Sequence, residues 1–346
     1  MVCSLSVIIP TYKRRASVQR LLQSLTMQSI APEAYEVIVS IDGSDDGTRE
    51  MVAAFAAPYS LRWIYKPNRG RAAALNEGIH ASSAEVTVFL DDDMEASPEL
   101  LASHTRLHPS GTRLGVMGAV PIRVDPSSPP LVVYIGTKFN NHLAALSMPD
   151  HVMKLRDFYS GNFSIRREVL ESVGLFDEAF RIYGNEDLEL SLRLVQAGVK
   201  LMYDPEAIAY QSYSKNFSEL ARDTIAEGQT AVLLASMHPD AIRDLKLGTY
   251  KSEWRKWRPL RALLLLLGQR WPRITNLLVN LVLQLEYHKP RSLALYYALA
   301  LDYCYWLGVR AALNENKHNG LEPSSITQLA NIGLDTSDQG KHNSTL

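Results

Sequence analysis

The chain has 346 residues, 36 Lys+Arg against 37 Asp+Glu and a formal net charge of −1, with 46% hydrophobic and 21% charged residues. That length suits about two domains, or one large α/β domain with an appendage, and the composition excludes a disordered or fibrous chain. Near-zero charge gives no reason to expect nucleic acid as a partner. Cys3 and Cys304 lie far apart, too few for a disulfide framework or a cysteine zinc site, and they point to a reducing compartment. The opening MVCSLSVIIPTYKRR places its apolar run before its basic residues. A secretory signal has the reverse order and a longer apolar core, so this run reads as the first strand and a cytoplasmic location is expected.

Strands and helices alternate over the first 120 residues. LSVIIP (5–10) precedes a helix around Ser17 to Gln28, and YEVIVSI (35–41) precedes one from about Asp46 to Ala56. LRWIY (61–65) precedes a third helix near Arg71 to Ala81, and EVTVFL (85–90) is a nearly continuous apolar strand. Such alternation predicts a mostly parallel sheet flanked by helices, with binding chemistry at the carboxyl ends of its strands. No Gly-x-Gly-x-x-Gly or Walker-type loop follows the first strand, which removes the main support for a dinucleotide or P-loop fold. Residues 121–159 read as an irregular insertion around PSSPP. Helical patterns follow at Arg167–Val173 and Asp187–Ala197, then a short strand at Lys200–Tyr203. After Asn216 the sequence reads as helical, and Asn314–Leu346 as a loosely held tail.

Asp91-Asp92-Asp93 closes the apolar strand. Adjacent carboxylates repel, and a hard divalent cation sharing one or two of them with a phosphate is the natural compensation; a solvated acidic turn is the alternative. Asp42, before the Gly43-Ser44 turn, suits a base or ribose held over the sheet, or an ordinary Asx turn. Asn68-Arg69-Gly70-Arg71 brings two guanidiniums and a helix N-terminus to the same edge, which suits a diphosphate. In Gly184-Asn185-Glu186-Asp187, Asn185 is a candidate N-cap and the acids suit a first helical turn. Of the nine histidines only His104 and His108 stand four apart, in HTRLH with no acid between them, so neither a zinc site nor a Ser-His-Asp arrangement is expected.

In series, SVIIPTYKR, VIVSIDGSDDGT, NRGRAAALNEGI, VFLDDDMEASPELL, GNFSIRREVLESVGLFDEAF and GNEDLELSLRL resemble the GT-A fold glycosyltransferases of family 2, from residue 5 to about 205. The resemblance implies a metal-dependent, inverting transfer from a nucleotide-diphospho-sugar, UDP- or dTDP-linked, to an acceptor hydroxyl in glycan, glycolipid or cell-envelope polysaccharide synthesis. It implies Mg2+ or Mn2+ on Asp91 and Asp93, with Asp187 as general base beside Glu186. Donor contacts fall on Pro10, Thr11, Tyr12, Arg14, Asp42, Asn68, Arg71, Asp92, Gly161 and Asn162. Many relatives carry histidine near Gln211, so water or Asp92 is left to complete the metal shell. The acceptor is a glycan, a lipid-linked species or a small molecule. A nucleotidyltransferase is the rival enzyme, although TYKRRAS lacks its glycine-rich loop; a non-catalytic nucleotide-sugar-binding module is the rival non-enzyme.

On this reading residues 1–215 form the catalytic domain, 216–313 a helical region and 314–346 a flexible tail. Trp254 to Arg310 holds nine Lys+Arg against Glu286 and Asp302, a local charge of +7. Its apolar runs are too short or interrupted to span a bilayer. Two readings stay open: peripheral contact with the cytoplasmic face of a membrane, or a helical cap that packs on the domain or on a second copy in a homo-oligomer.

Overall fold

The computed structural model describes residues 4–249, 256–271, 273–288 and 293–318. Strands β1 (Leu5–Thr11), β2 (Tyr35–Asp42), β3 (Ser60–Lys66) and β4 (Val86–Leu90) alternate with helices α1 (Arg15–Leu25), α2 (Thr48–Ala54) and α3 (Arg71–Ala81). Short β5 (Met94–Ala96), α4 (Leu100–Arg106) and β6 (Leu114–Ala119) follow, then α5 (Pro130–Leu146), β7 (Asn162–Arg166), α6 (Arg167–Ser172), α7 (Glu186–Gln196) and β8 (Lys200–Gln211). Helices α8 (Phe217–Met237), α9 (Arg258–Arg270), α10 (Arg273–His288) and α11 (Ala294–His318) complete the described chain.

The eight strands form one sheet in the order β3-β2-β1-β4-β7-β6-β8-β5. Pairs β1–β2, β2–β3, β1–β4 and β6–β8 are parallel. β1, β2 and β4 are buried along their whole length, whereas β3 is an exposed edge. A strand covered by helices on both faces must be apolar throughout, which is what LSVIIPT and VTVFL supply. The chain steps from β1 to β2 on one side and returns to β4 on the other. Such reversals open a crevice beyond the strand ends.

The sheet is mostly parallel, as expected; other expectations need correction. β7 runs antiparallel to both β4 and β6. It enters from the carboxyl end of β4, where Asn162 pairs with Leu90. Residues 121–159 contain a 17-residue helix, α5. Its Leu-Val-Val-Tyr-Ile start has strand-like composition, but Pro130 at the first turn presets the helical φ. β8 continues to Gln211 through Asp204-Pro205; a register shift between Gly118 and Ala119 absorbs the irregularity, a position where proline is tolerated. α11 extends to His318, so 314–318 is helical, and the rest of the expected tail, 319–346, lies outside the described residues.

α8 begins with a capping box, in which Asn216 Oδ1 accepts from the Glu219 amide and Glu219 returns the bond to the Asn216 amide. α8 and α11 pack closely: a Cβ on Gly228 would come within 2.1 Å of the Tyr305 carbonyl, and one on Gly308 within 1.9 Å of that of Ile225. Around this contact Leu131, Phe180, Phe217, Leu265, Tyr303 and Trp306 form a second core. The C-terminal helices therefore pack on the sheet domain. Inside them Arg261 and Asp302 are 1% and 3% exposed and 2.8 Å apart, so Arg261 is withdrawn from the basic surface. Asp302→Ala should leave this guanidinium buried without its main counter-charge and cost about 3–5 kcal/mol in urea unfolding. A loss below 1 kcal/mol would mean that other groups or water compensate the Arg261 charge.

Candidate active site

Three carboxyl-end loops meet beyond β1, β2 and β4. Thr11 Oγ1 donates to Asp92 Oδ2 at 2.7 Å, pinning the β1 end to the acidic triplet across the switch point. Arg14 stands 3.8 Å from Asp92 and 3.5 Å from Asp93. Pro10 is buried in β1, while Tyr12 is 47% exposed at the crevice rim. Burial pushes the Asp92 carboxyl up to about 7, with Arg14 and Thr11 opposing and Asp93 and Asp91 adding to the rise. Burial, then Asp91, raises Asp93 as well.

Arg71, at the start of α3, ties the site together. It donates to Asp91 Oδ1 at 2.7 Å, to Glu186 Oε1 at 3.0 Å and to Ser160 Oγ at 3.1 Å. Burial disfavours its charge, but Asp91, Glu186 and Asp187 outweigh that and raise its pKa. Ser160 is fully buried and was not picked out from the sequence; only its place before Gly161 signalled it. Lys215 was missed too. It pairs with Asp223 at 2.6 Å, lies 4.7 Å from the Tyr183 ring and lowers the pKa of Asp93.

Gly161 is where the backbone must come close. A Cβ there would sit 2.4 Å from Asp91 Oδ2, so any side chain would displace the carboxylate. Asn162, expected to touch the donor, is fully buried. Its amide donates to the Ala119 and Ala207 carbonyls, and its oxygen lies 2.9 Å from His104 Nε2. It has no surface to offer a ligand and instead braces β7 against β6 and β8. Asp42 also has structural work: its two oxygens accept from the Arg69 and Gly70 amides at 2.8 and 3.0 Å, and Asn68 Nδ2 donates to its carbonyl. It is 7% exposed, so any base contact must use the remaining lone pairs. Asn68 is itself exposed at the rim.

Asn185 does not cap α7 through its side chain. It adopts a left-handed backbone, φ 66°, and its amide donates to the Glu227 carbonyl at 3.0 Å and Thr230 Oγ1 at 2.8 Å. The loop before the acid pair is thus anchored to α8. Asn185→Ala should cost about 2–4 kcal/mol in urea unfolding, from two hydrogen bonds and an unfavourable φ. Asn185→Gly, which accepts that φ, should cost less; equal losses would show that the backbone carries no strain. Asp187 is half-buried and accepts from the Leu188 amide at 2.8 Å. Burial, then Glu186, lifts its carboxyl to about 7 against the pull of Arg71. A carboxyl placed so can accept a proton near neutral pH.

The acids fit a hard divalent cation. Asp93 Oδ1 is buried without a hydrogen-bond partner, and Asp91 Oδ2 faces the space kept open by Gly161. Asp91, Asp92, Asp93, Glu186 and Asp187 share Arg14 and Arg71 as close cations. Among the described residues no group of three or more His, Cys, Asp or Glu could hold a metal alone. Two carboxylates completed by substrate phosphate is the usual pattern for such ions. Gln211 lies beside them, its Nε2 3.4 Å from Asp93 Oδ2, whereas Asp92 turns to Thr11 and Arg14.

Comparison with known proteins agrees with this architecture. The glycosyl transferase family 2 model matches residues 6–174, and the glycosyltransferase-like family 2 model matches residues 139–228. The chain is 30% identical over 227 residues to a validoxylamine A glucosyltransferase of Streptomyces hygroscopicus subsp. limoneus, covering 59% of this chain and 50% of that protein. It thus spans about half the length of these curated relatives. A Pyrobaculum calidifontis mannosyltransferase, PcManGT, in complex with GDP-Man and Mn2+ superposes with TM-score 0.52 at 20% identity, covering 96% of this chain and 80% of that one. S. aureus TarS 1-349 in complex with UDP-GlcNAc gives TM-score 0.50 at 16% identity, covering 92% of each. The fold is GT-A. The chain belongs to glycosyltransferase family 2.

Proposed function

We propose that this protein transfers a sugar from a nucleotide-diphospho-sugar to an acceptor hydroxyl in a single, inverting displacement. The observation that carries the reading is Arg71, whose guanidinium bonds both Asp91 and Glu186. It sets the triplet suited to a diphosphate within one side chain of the half-buried Asp187. The donor lies over the sheet with its base near Pro10, Thr11, Tyr12 and Asp42. Asp91 and Asp93 would hold Mg2+ or Mn2+, which when bound supplies positive charge to the departing diphosphate. Arg14 and Arg71 add fixed positive charge at the same end.

Asp187 takes the proton of the acceptor hydroxyl as that oxygen bonds to the anomeric carbon. The bond from that carbon to the diphosphate oxygen breaks, and nucleoside diphosphate leaves with the electron pair. One base and no enzymic nucleophile give one displacement and hence inversion, as in the inverting hydrolases. Glu186, held by Arg71, orients the acceptor side. PcManGT was solved with GDP-Man and TarS with UDP-GlcNAc, which supports the donor class and leaves the base and sugar open. A glycan, a lipid-linked species or a small molecule serves as acceptor.

A panel of nucleotide-sugars with Mn2+ or Mg2+, assayed for released nucleoside diphosphate, tests this reading. At least one donor should give nucleoside diphosphate and a product of inverted anomeric configuration. Release of pyrophosphate would indicate a nucleotidyltransferase, and binding without turnover across donors and acceptors a non-catalytic module. Retained configuration would overturn the single displacement.

A further inference from the structure

Helices α9 to α11 bury one side in the second core, through Leu265, Val279, Val282, Tyr297 and Trp306. The outward side carries apolar residues as well, set on α10 among exposed Asn276, Asn280 and Gln284. On α9, Leu260, Leu263 and Leu266 are 47%, 50% and 56% exposed and recur every three residues, a single stripe that runs on to exposed Arg270 and Trp271. On α10, Leu277 and Leu281 are exposed one turn apart, a turn beyond exposed Arg273. A helix that only caps a domain turns charged and polar residues outward, and apolar stripes rimmed by charge mark interaction surfaces.

The charge on this face selects the partner. Lys256, Arg270 and Arg273 are exposed, while both acids of the 254–310 segment are engaged internally. Glu286 accepts from the Tyr297 hydroxyl at 2.6 Å, and Asp302 is buried against Arg261. The basic side chains therefore meet no acid of their own segment. A two-fold contact with a second copy would set this cationic face against itself. An anionic lipid surface complements it, and Trp271 suits the boundary between headgroups and acyl chains. Trp254, Arg255, Lys289 and Arg291 lie outside the described residues, and no described helix is long and apolar enough to cross a membrane.

We infer that the outward face of α9 and α10 docks on a bilayer bearing anionic headgroups, with Leu260, Leu263, Leu266 and Trp271 at the acyl boundary and Lys256, Arg270 and Arg273 among the phosphates. The full chain should sediment with phosphatidylcholine vesicles containing phosphatidylglycerol, and much less with pure phosphatidylcholine. Salt should weaken binding only in part, because the leucines contribute independently of charge. Each basic residue at such a surface is worth about fivefold in partitioning, so Arg270→Gln with Arg273→Gln should lower it about 25-fold. Leu263→Gln with Leu266→Gln should remove the salt-resistant part, and these exposed changes should leave the thermal melt in place. Equal affinity for neutral and anionic vesicles, or none for either, would overturn the inference. So would a solution dimer that the leucine variant splits.

Discussion

Asp187→Asn is expected to lower kcat by about 10²–10⁴-fold while donor affinity stays near that of the wild type. The amide keeps the shape of the side chain and can still accept from the Leu188 amide, but it cannot take the acceptor's proton. With the wild-type carboxyl raised to about 7 by burial and Glu186, the base is protonated and idle in acid. The rate should therefore rise with pH and reach half its plateau near about 7, and the Asn variant should lose that limb. Stability runs the other way. The folded chain holds a proton that the unfolded chain releases, so this group's contribution is full below about pH 4 and is lost as pH rises through about 7. Asp187→Asn has no such proton to lose and should melt above the wild type at pH 8. A variant that melts lower yet keeps normal turnover in its folded fraction would make Asp187 a structural acid.

What could be read from the sequence followed how much of each element is dictated locally. β1, β2 and β4 are apolar throughout because both faces are covered, so their strings announced buried parallel strands. α3 was equally plain. The short β5, β6 and β7 are fixed by partners distant in sequence, and Leu114-Gly-Val-Met-Gly-Ala does not show on its own that it is a strand. α5 was hidden because Val132, Val133 and Ile135 are strand-like residues whose helicity is set by packing. The acids of the crevice were all identifiable by type and by their place at a strand end or helix start, although a solvated acidic turn and a first helical turn fitted them as well. Their hydrogen-bond partners were not. Asn162 and Asp42 are residues that bind ligands well, yet their bonds go to backbone. Asn185 is an excellent cap by type, but its amide is drawn away by α8, 42 and 45 residues further along the chain. Ser160 and Lys215 acquire meaning only through Arg71 and Tyr183, which no local pattern brings to them.

Replacing Asp91 and Asp93 together by Asn should reduce turnover at saturating Mn2+ or Mg2+ by about 10³-fold or more. Loss of Lewis-acid charge at a leaving diphosphate removes several kcal/mol of transition-state stabilisation, and about 1.4 kcal/mol is tenfold in rate. Excess chelator should do the same to the wild type, with recovery when either ion is restored. The fold should survive, because the change removes like charges that raise the pKa of Asp92 and leaves Arg71 its bonds to Glu186 and Ser160. Melting at neutral pH should therefore be no lower than in the wild type. Titration of Mn2+ followed by its electron spin resonance signal provides a readout apart from activity: wild type with nucleoside diphosphate should bind the ion tightly, and the double variant should bind it at least tenfold more weakly. Gly161→Ala should weaken Mn2+ in the same titration, since its methyl group would fall 2.4 Å from Asp91 Oδ2. Full activity in chelator, or unchanged Mn2+ affinity in the double variant, would instead mean that Arg14 and Arg71 alone supply the positive charge at this end of the crevice.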